Sequence, residues 1–336
     1  MQDLSMQSSS KLFPVALVSA ELRGDLTEDI YRLKPGNGPD STVELSLTRL
    51  AQAGVSLGEQ VPVILLHGSF SNRRFWYSPA GIGVGPYLAR AGFDVWMAEM
   101  RGHGLSPRNR HYQRNTVADY ARYDLPAIAA FVREKSGQVP HWVGHSMGGI
   151  TLAAAVGGKY LDEQNAASLA LFGSQISRTY WPIKIPPVEW TGRVLLRRFK
   201  VISGVRLKRG PEDEPVGVGL ESLRWHGFLG RFGDRLSDWW AGLADVHIPL
   251  LAVSARADRD DPAWACRKLF EQFGSANKRF VLLGRQEGYS SDFGHIEMLV
   301  SKPAMAEVWP ILAMWLRSQQ IKMTMPPTAV SNEQIL

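Results

Sequence analysis

The stretch Gly144-His145-Ser146-Met147-Gly148-Gly149 constrains this chain more than any other. It reads Gly-x-Ser-x-Gly with one further glycine. Pro140-His141-Trp142-Val143 before it is short, mostly apolar and strand-like. Gly149 to Val156 after it is rich in Ala and Leu, with no breaker beyond the paired glycines. Strand, tight turn, helix is the setting that holds a serine on a strained corner with its hydroxyl exposed. Gly144 and Gly148 serve that corner by lacking bulk, so that strand and helix pack closely. The free N–H groups of the helix start then point to where an oxyanion would form. The competing reading is a Gly-rich turn with an incidental serine. The rest of the chain decides between them.

Strand and helix patterns alternate along the chain and predict an α/β fold with a mostly parallel central sheet flanked by helices. Residues 1–11 are Ser- and Gln-rich and read as a mobile N-terminus. A first part of the core is expected over 12–173. Leu12 to Ala20 reads as its first strand in preference to a signal-peptide core, because the segment holds a proline and its flank carries Asp3 and a single lysine, Lys11. Leu33 to Asp40 is a turn, and Val43 to Leu50 alternates as a half-buried strand does. Val61 to Leu66 is a continuous apolar run, suited to a central parallel strand. Val84 to Ala91 reads as a helix and Phe93 to Met100 as a strand. Asp119 to Val132 has helical spacing, and Pro126 puts the start of that helix near Asp124. Ala167 to Gly173 is the sixth strand in this reading. The glycines of Gly81 to Gly85 lack a preceding strand and read as a flexible loop near an acyl pocket.

From 174 to 246 the pattern changes. The segment is rich in Trp and carries a basic run free of acids: Arg193, Arg197, Arg198, Lys200, Arg206, Lys208 and Arg209. It is too long for a simple loop between sheet strands, so a cap or lid inserted after the sixth strand is expected. Its basic, amphipathic part suits transient contact with a membrane surface or an anionic substrate, and equally a solvated cationic face packed on the core. The core resumes over 247–318, with strands at Ile248–Ala255 and Arg279–Leu283 and a helix from Pro303 to Leu316. A polar tail, 319–336, follows.

A serine at its ordinary pKa is a poor nucleophile. It needs a base, and the base an orienting acid. In a parallel sheet with this corner the order is Ser, acid, His, each at a strand's C-terminal end. Asp258 is the first carboxylate past the Leu250–Ser254 strand and is the candidate acid. Asp260 and Asp261 remain alternatives, because an N-cap role before Pro262 accounts for Asp261 equally well. Of the eight histidines, only His295 follows both the serine and the acid strand. Asp292 and Glu297 read as polar loop residues. The N–H groups of Ser69 and Met147 are the candidate oxyanion donors, with Phe70 N–H as alternative to the first. Phe70 and His145 beside them are the candidate substrate-contacting side chains, although the position before the serine also suits packing on neighbouring strands. His67, Arg101 and His103 read as loop-bracing.

Several function classes are disfavoured. No Cys-x-x-Cys spacing suggests a metal, and no Walker loop or Gly-x-Gly-x-x-Gly suggests a nucleotide, so no cofactor is expected. The formal charge of +6 is too diffuse to imply nucleic acid. The lone Cys266 reads as helix core packing. A single cysteine fits a reducing, cytoplasmic setting.

Leu66-His67-Gly68, Arg101-Gly102-His103-Gly104, the serine corner, Asp258 and Gly294-His295 together resemble the α/β-hydrolase superfamily, over roughly 61–318. A narrower likeness covers about 63–160. Gly92-Phe93-Asp94-Val95-Trp96, Arg108-Asn109 and Tyr123-Asp124-Leu125-Pro126-Ala127 look like the acid (gastric and lysosomal) lipase branch. The region is also similar to polyhydroxyalkanoate synthases, which carry cysteine where this chain has Ser146. The resemblance implies a serine hydrolase that cleaves a small-molecule or lipid-like ester through an acyl-enzyme. A thioesterase or acyltransferase on acyl-CoA-like substrates, and a catalytically silent hydrolase fold used for binding, are the rival expectations.

Overall fold

The structure is a computed structural model that describes residues 8–178 and 181–324. Eleven strands run through these residues. They are β1 (Val15–Arg23), β2 (Leu26–Leu33), β3 (Leu45–Gln52), β4 (Val61–Leu66), β5 (Phe93–Glu99), β6 (His141–His145), β7 (Ser168–Phe172), β8 (Val201–Ser203), β9 (Asp213–Pro215), β10 (Leu250–Ala255) and β11 (Lys278–Leu283). Nine form one sheet in the order β1-β2-β3-β5-β4-β6-β7-β10-β11. From β5 to β11 every neighbour is parallel, and β1, β2 and β3 extend one edge antiparallel. The central strands are buried on both faces, which is why β4 and β5 read as unbroken apolar runs rather than alternating ones. One face packs the helices Leu125–Ser136 and Met147–Gly157 around Trp96, Trp142 and Phe131. The other packs Val84–Arg90 and the last helix, Trp309–Thr324, around Trp76 and Val95.

The sequence does not mark β2 as a strand, because Leu26-Thr27-Glu28-Asp29-Ile30 mixes acids into the alternation. Glu28 is buried where it accepts a hydrogen bond from Tyr77 Oη (2.7 Å), and Asp29 pairs with Arg49, so both acids are satisfied inside the sheet. With β2 counted, the inserted segment follows the seventh strand, not the sixth. β1 lies three residues later than the sequence suggests. Of the N-terminal stretch read as mobile, 1–7 lie outside the described residues. Lys11 N–H donates to Glu134 (2.7 Å), which fastens that end to the core. The last helix runs to Thr324, beyond the expected boundary at 318.

The helix expected to begin near Asp124 begins earlier. Thr116 and Asp119 form a reciprocal capping box at its start. Residues Tyr120–Asp124 make a π-helical turn before the regular helix Leu125–Ser136. Pro126 supplies no N–H to the preceding turn, and the wider turn absorbs that gap. The same turn carries Asp124 inward to meet buried Arg101, whose Nε lies 2.9 Å from Oδ2. Gly81–Gly85, expected near an acyl pocket, sits elsewhere. Gly83 lies so close to the Trp76 carbonyl that a Cβ there would come within 2.1 Å of it.

Removing one partner of a buried pair leaves an uncompensated charge. Asp124→Asn is expected to lower stability by about 3–5 kcal/mol, read as a shift in the urea unfolding midpoint. A loss below ~1 kcal/mol would show that the pair braces nothing.

Candidate active site

Ser146 sits between β6 and the helix Met147–Gly157 with φ 53° and ψ −120°, a conformation that non-glycine residues rarely adopt. Its N–H donates to the Phe172 carbonyl (2.9 Å), and Ser174 Oγ donates to its carbonyl (3.1 Å). The flanking glycines are required by space. A Cβ on Gly144 would lie 2.6 Å from Gly149 N, and one on Gly148 would lie 2.3 Å from the Leu66 carbonyl oxygen. Strand β4 therefore touches the corner directly, and the loop it feeds, Gly68-Ser69-Phe70, lies against the serine. A Cβ on Gly68 would meet Ser146 Cβ at 3.1 Å.

His295 comes from the loop after β11 and Asp258 from the loop after β10. His295 Nδ1–H donates to Asp258 Oδ2 (2.9 Å). Asp258 is buried, and its other oxygen accepts the N–H groups of Asp260 (3.0 Å) and Asp261 (2.8 Å), so the loop coils around it. Ala257 N–H donates to the Asp292 and Phe293 carbonyls, which ties the acid loop to the histidine loop. Asp292 in turn accepts the N–H of Arg285, a loop role.

Asp261 is not an N-cap. The helix Ala263–Gln272 is capped at Pro262, and the Asp261 side chain turns the other way. One oxygen accepts from Gln175 Nε2 (3.0 Å). The other accepts from Ser146 Oγ at 3.4 Å and stands 3.9 Å from His295 Nε2. Three carboxylates thus surround one imidazole. Burial lowers the His295 pKa, but Asp258, then Asp261 and Asp260, outweigh it and leave it above the ordinary value. Burial raises Asp261 to about 6 against the pull of His295.

Two neighbouring histidines, His145 and His67, are neutral braces. Burial pushes His145 down to about 3. Its Nε2–H donates to the His295 carbonyl (2.9 Å), and its ring stacks on Phe75 at 4.4 Å. It reaches the cavity wall but is only 4% exposed, so it positions His295 more than it offers surface to a ligand. His67, likewise held at about 3, donates from Nδ1 to Gly68 O (2.8 Å) and accepts Met100 N–H (3.2 Å). His103 is fully buried, 3.3 Å from Glu214. Cys266 packs in its helix with its thiol pushed up to about 12 by burial.

Glu214 was not singled out in the sequence. It lies on β9, in the two-stranded β8–β9 hairpin of the inserted segment. Its carboxylate accepts the N–H of Phe70 (2.8 Å), while Glu212 N–H donates to Phe70 O (3.1 Å). Phe70 is held there at φ 57°. Its N–H is therefore engaged by Glu214. Phe70, Ser69 and Ser146 line a cavity of about 680 Å³ together with His295 and Lys208. Of the basic run, only Lys208 and Arg209 reach it, and Arg209 pairs with Asp260 (2.8 Å). Among the described residues no cluster of potential ligands could hold a metal ion, and no helix is long and apolar enough to cross a membrane.

Residues 61–200 match the family described as alpha/beta hydrolase fold. Human gastric triacylglycerol lipase is 36% identical over 100 residues, which is 27% of this chain and 25% of the lipase. The chain thus spans about a quarter of the length of that relative. An esterase from Thermogutta terrifontis superposes with a TM-score of 0.56 at 18% identity, covering 84% of this chain and 96% of the esterase. A monoacylglycerol lipase from Paleococcus ferrophilus gives a TM-score of 0.56 at 16% identity, covering 82% and 99%. The chain has the α/β-hydrolase fold, and part of it is similar to lipases of that superfamily.

A serine activated by His295 reacts with a fluorophosphonate only while the imidazole is neutral. Labelling of Ser146 is expected to rise with pH through a midpoint above 6.5, the ordinary histidine value. Asp261→Asn should move that midpoint down by removing one of three negative neighbours, as mass-spectrometric labelling across pH will show. A midpoint at or below 6.5 in the unaltered protein would contradict this electrostatic reading.

Proposed function

We propose that this protein is a serine carboxylic-ester hydrolase acting on an apolar acyl ester. The observation that carries the reading is the hydrogen-bonded pair His295–Asp258, with His295 and a serine held on a strained corner lining the same cavity. Ser146 Oγ attacks the ester carbonyl as its proton passes to His295 Nε2. Asp258 fixes the tautomer and stabilises the imidazolium. The N–H groups of Ser69 and Met147 receive the developing oxyanion. His295 then gives its proton to the departing alcohol, and water clears the acyl-enzyme. Phe70, Phe75 and Val300 give the cavity an apolar lining suited to an acyl chain. Lipase relatives support ester chemistry. A carrier phosphate recognised by Arg197 finds no support, because Arg197 faces a separate hollow of the inserted segment.

The inserted segment also offers a surface for lipid. Trp190 is 69% and Leu229 90% exposed. The two belong to one region, since Gly227 lies against the Glu189 carboxylate. Arg197 and Arg198 follow nearby in sequence, so an apolar face with basic flanks is turned outward.

Ser146→Ala is expected to remove p-nitrophenyl ester hydrolysis by at least about a thousandfold, and retained turnover would sink the proposal. A chain-length series of the same esters will give the acyl preference. Replacing Trp190 and Leu229 together by serine should reduce hydrolysis of an emulsified long-chain ester severalfold and spare a dissolved butyrate ester. Equal loss on both substrates would assign these residues to folding instead.

A further inference from the structure

The scheme above uses Asp258 and gives Asp261 no task. Yet Asp261 is a carboxylate only 8% exposed, a costly group to bury, and it faces both reacting heteroatoms. Gln175 holds Oδ1, and the coil around Asp258 fixes the backbone, so Oδ2 has one direction open. In the resting site Oδ2 accepts the Ser146 hydroxyl hydrogen. Acylation takes that hydrogen away, first to His295 and then to the departing alcohol. Oδ2 is then an acceptor without a donor, next to the space that the alcohol has left.

Building on the acyl-enzyme reading, we propose that Asp261 is a further catalytic residue: it holds the attacking water beside His295 and so commits the acyl group to hydrolysis rather than to transfer onto an alcohol. Water has two hydrogens. One points to His295 Nε2, and the other to Asp261 Oδ2. An alcohol has one hydrogen, which His295 takes, and it must turn carbon towards a buried carboxylate. That mismatch is the kind a polar pocket discriminates against most strongly. In the step itself the water oxygen bonds to the acyl carbon, and one water proton moves to Nε2. The carbonyl electron pair moves onto the oxygen facing Ser69 and Met147. Collapse re-forms the carbonyl and breaks the bond to Ser146 Oγ, which regains its proton from His295. The other water hydrogen stays on the carboxylic acid released, and Asp261 accepts a hydrogen bond without taking a proton.

The test is the partition of a butyryl-enzyme, formed from p-nitrophenyl butyrate, between water and added methanol. In Asp261→Asn, Gln175 keeps the amide oxygen as its acceptor, so an N–H₂ donor replaces the acceptor that faces the serine. The ratio of methyl butyrate to butyric acid should rise about five- to tenfold, and Asp261→Ser should behave alike. Fluorophosphonate labelling of Ser146 shows that each variant is folded. An unchanged ratio in a variant that labels overturns the proposal. The unaltered protein gives a second arm. The groups facing Asp261 are Asp258 and Asp260 on its own loop, Cys266 on the helix that follows, His295, Gln175 and Ser146 across from it, and Lys208 and Arg209 from the inserted segment. Protonation of His295 slows both acceptors and cancels in the ratio, whereas Asp261 titrates near about 6. The methanol share should therefore rise below that pH, and a flat ratio overturns the proposal even if neither variant folds. Turnover persisting in Ser146→Ala would instead remove the acyl-enzyme on which the proposal stands.

Discussion

The strained backbone of Ser146 is the constraint on which the rest of the structure depends. A positive φ at a serine costs about 1–3 kcal/mol and persists only where its surroundings leave no alternative. Here the surroundings are backbone. The Gly148 side of the helix lies on the Leu66 carbonyl, and the Gly144 side of the strand lies on Gly149. The serine N–H and carbonyl are both engaged, by Phe172 and Ser174. Because β4 and β6 are neighbours in the sheet, the same contact that strains the serine also sets the distance to the loop carrying Ser69.

Around that corner the charges are arranged asymmetrically. His295 faces three carboxylates, yet His67 and His145, a few ångströms away, are kept neutral by burial and spend their ring nitrogens on backbone groups. In the proposed mechanism the imidazole that changes its charge is the one surrounded by acids. Those that do not are surrounded by apolar residues and peptide groups. Desolvation decides the second pair and ion pairing the first.

Much of this was legible in the chain. Chain order and strand ends pointed to Ser146, Asp258 and His295, because a parallel sheet puts every such residue on one edge. Ser69 followed from the continuous apolar run of β4. What was hidden had three causes. Asp261 and Pro262 together look like a helix start, and only the coil around Asp258 turns that side chain back towards a serine more than a hundred residues away. Glu214 lies in a segment whose pattern gives no register, so nothing local marks it as a partner of Phe70. The π turn at Tyr120–Asp124 was hidden too, since a widened turn has the same residue types as a narrow one.

The hold of Glu214 and Glu212 on Phe70 makes the inserted segment a composite of two parts with different freedoms. The β8–β9 hairpin is anchored to the backbone that presents Ser69: a side chain on Gly210 would collide with the Phe70 carbonyl, and one on Gly204 with the Glu212 carbonyl. Lifting that hairpin would disarm the serine in the same motion that uncovered it. The helix Pro186–Leu196, none of whose residues is buried, takes no part in that cavity wall. One insertion thus holds two unlike pieces, a hairpin tied to the loop beside the serine and an outer helix turned to solvent.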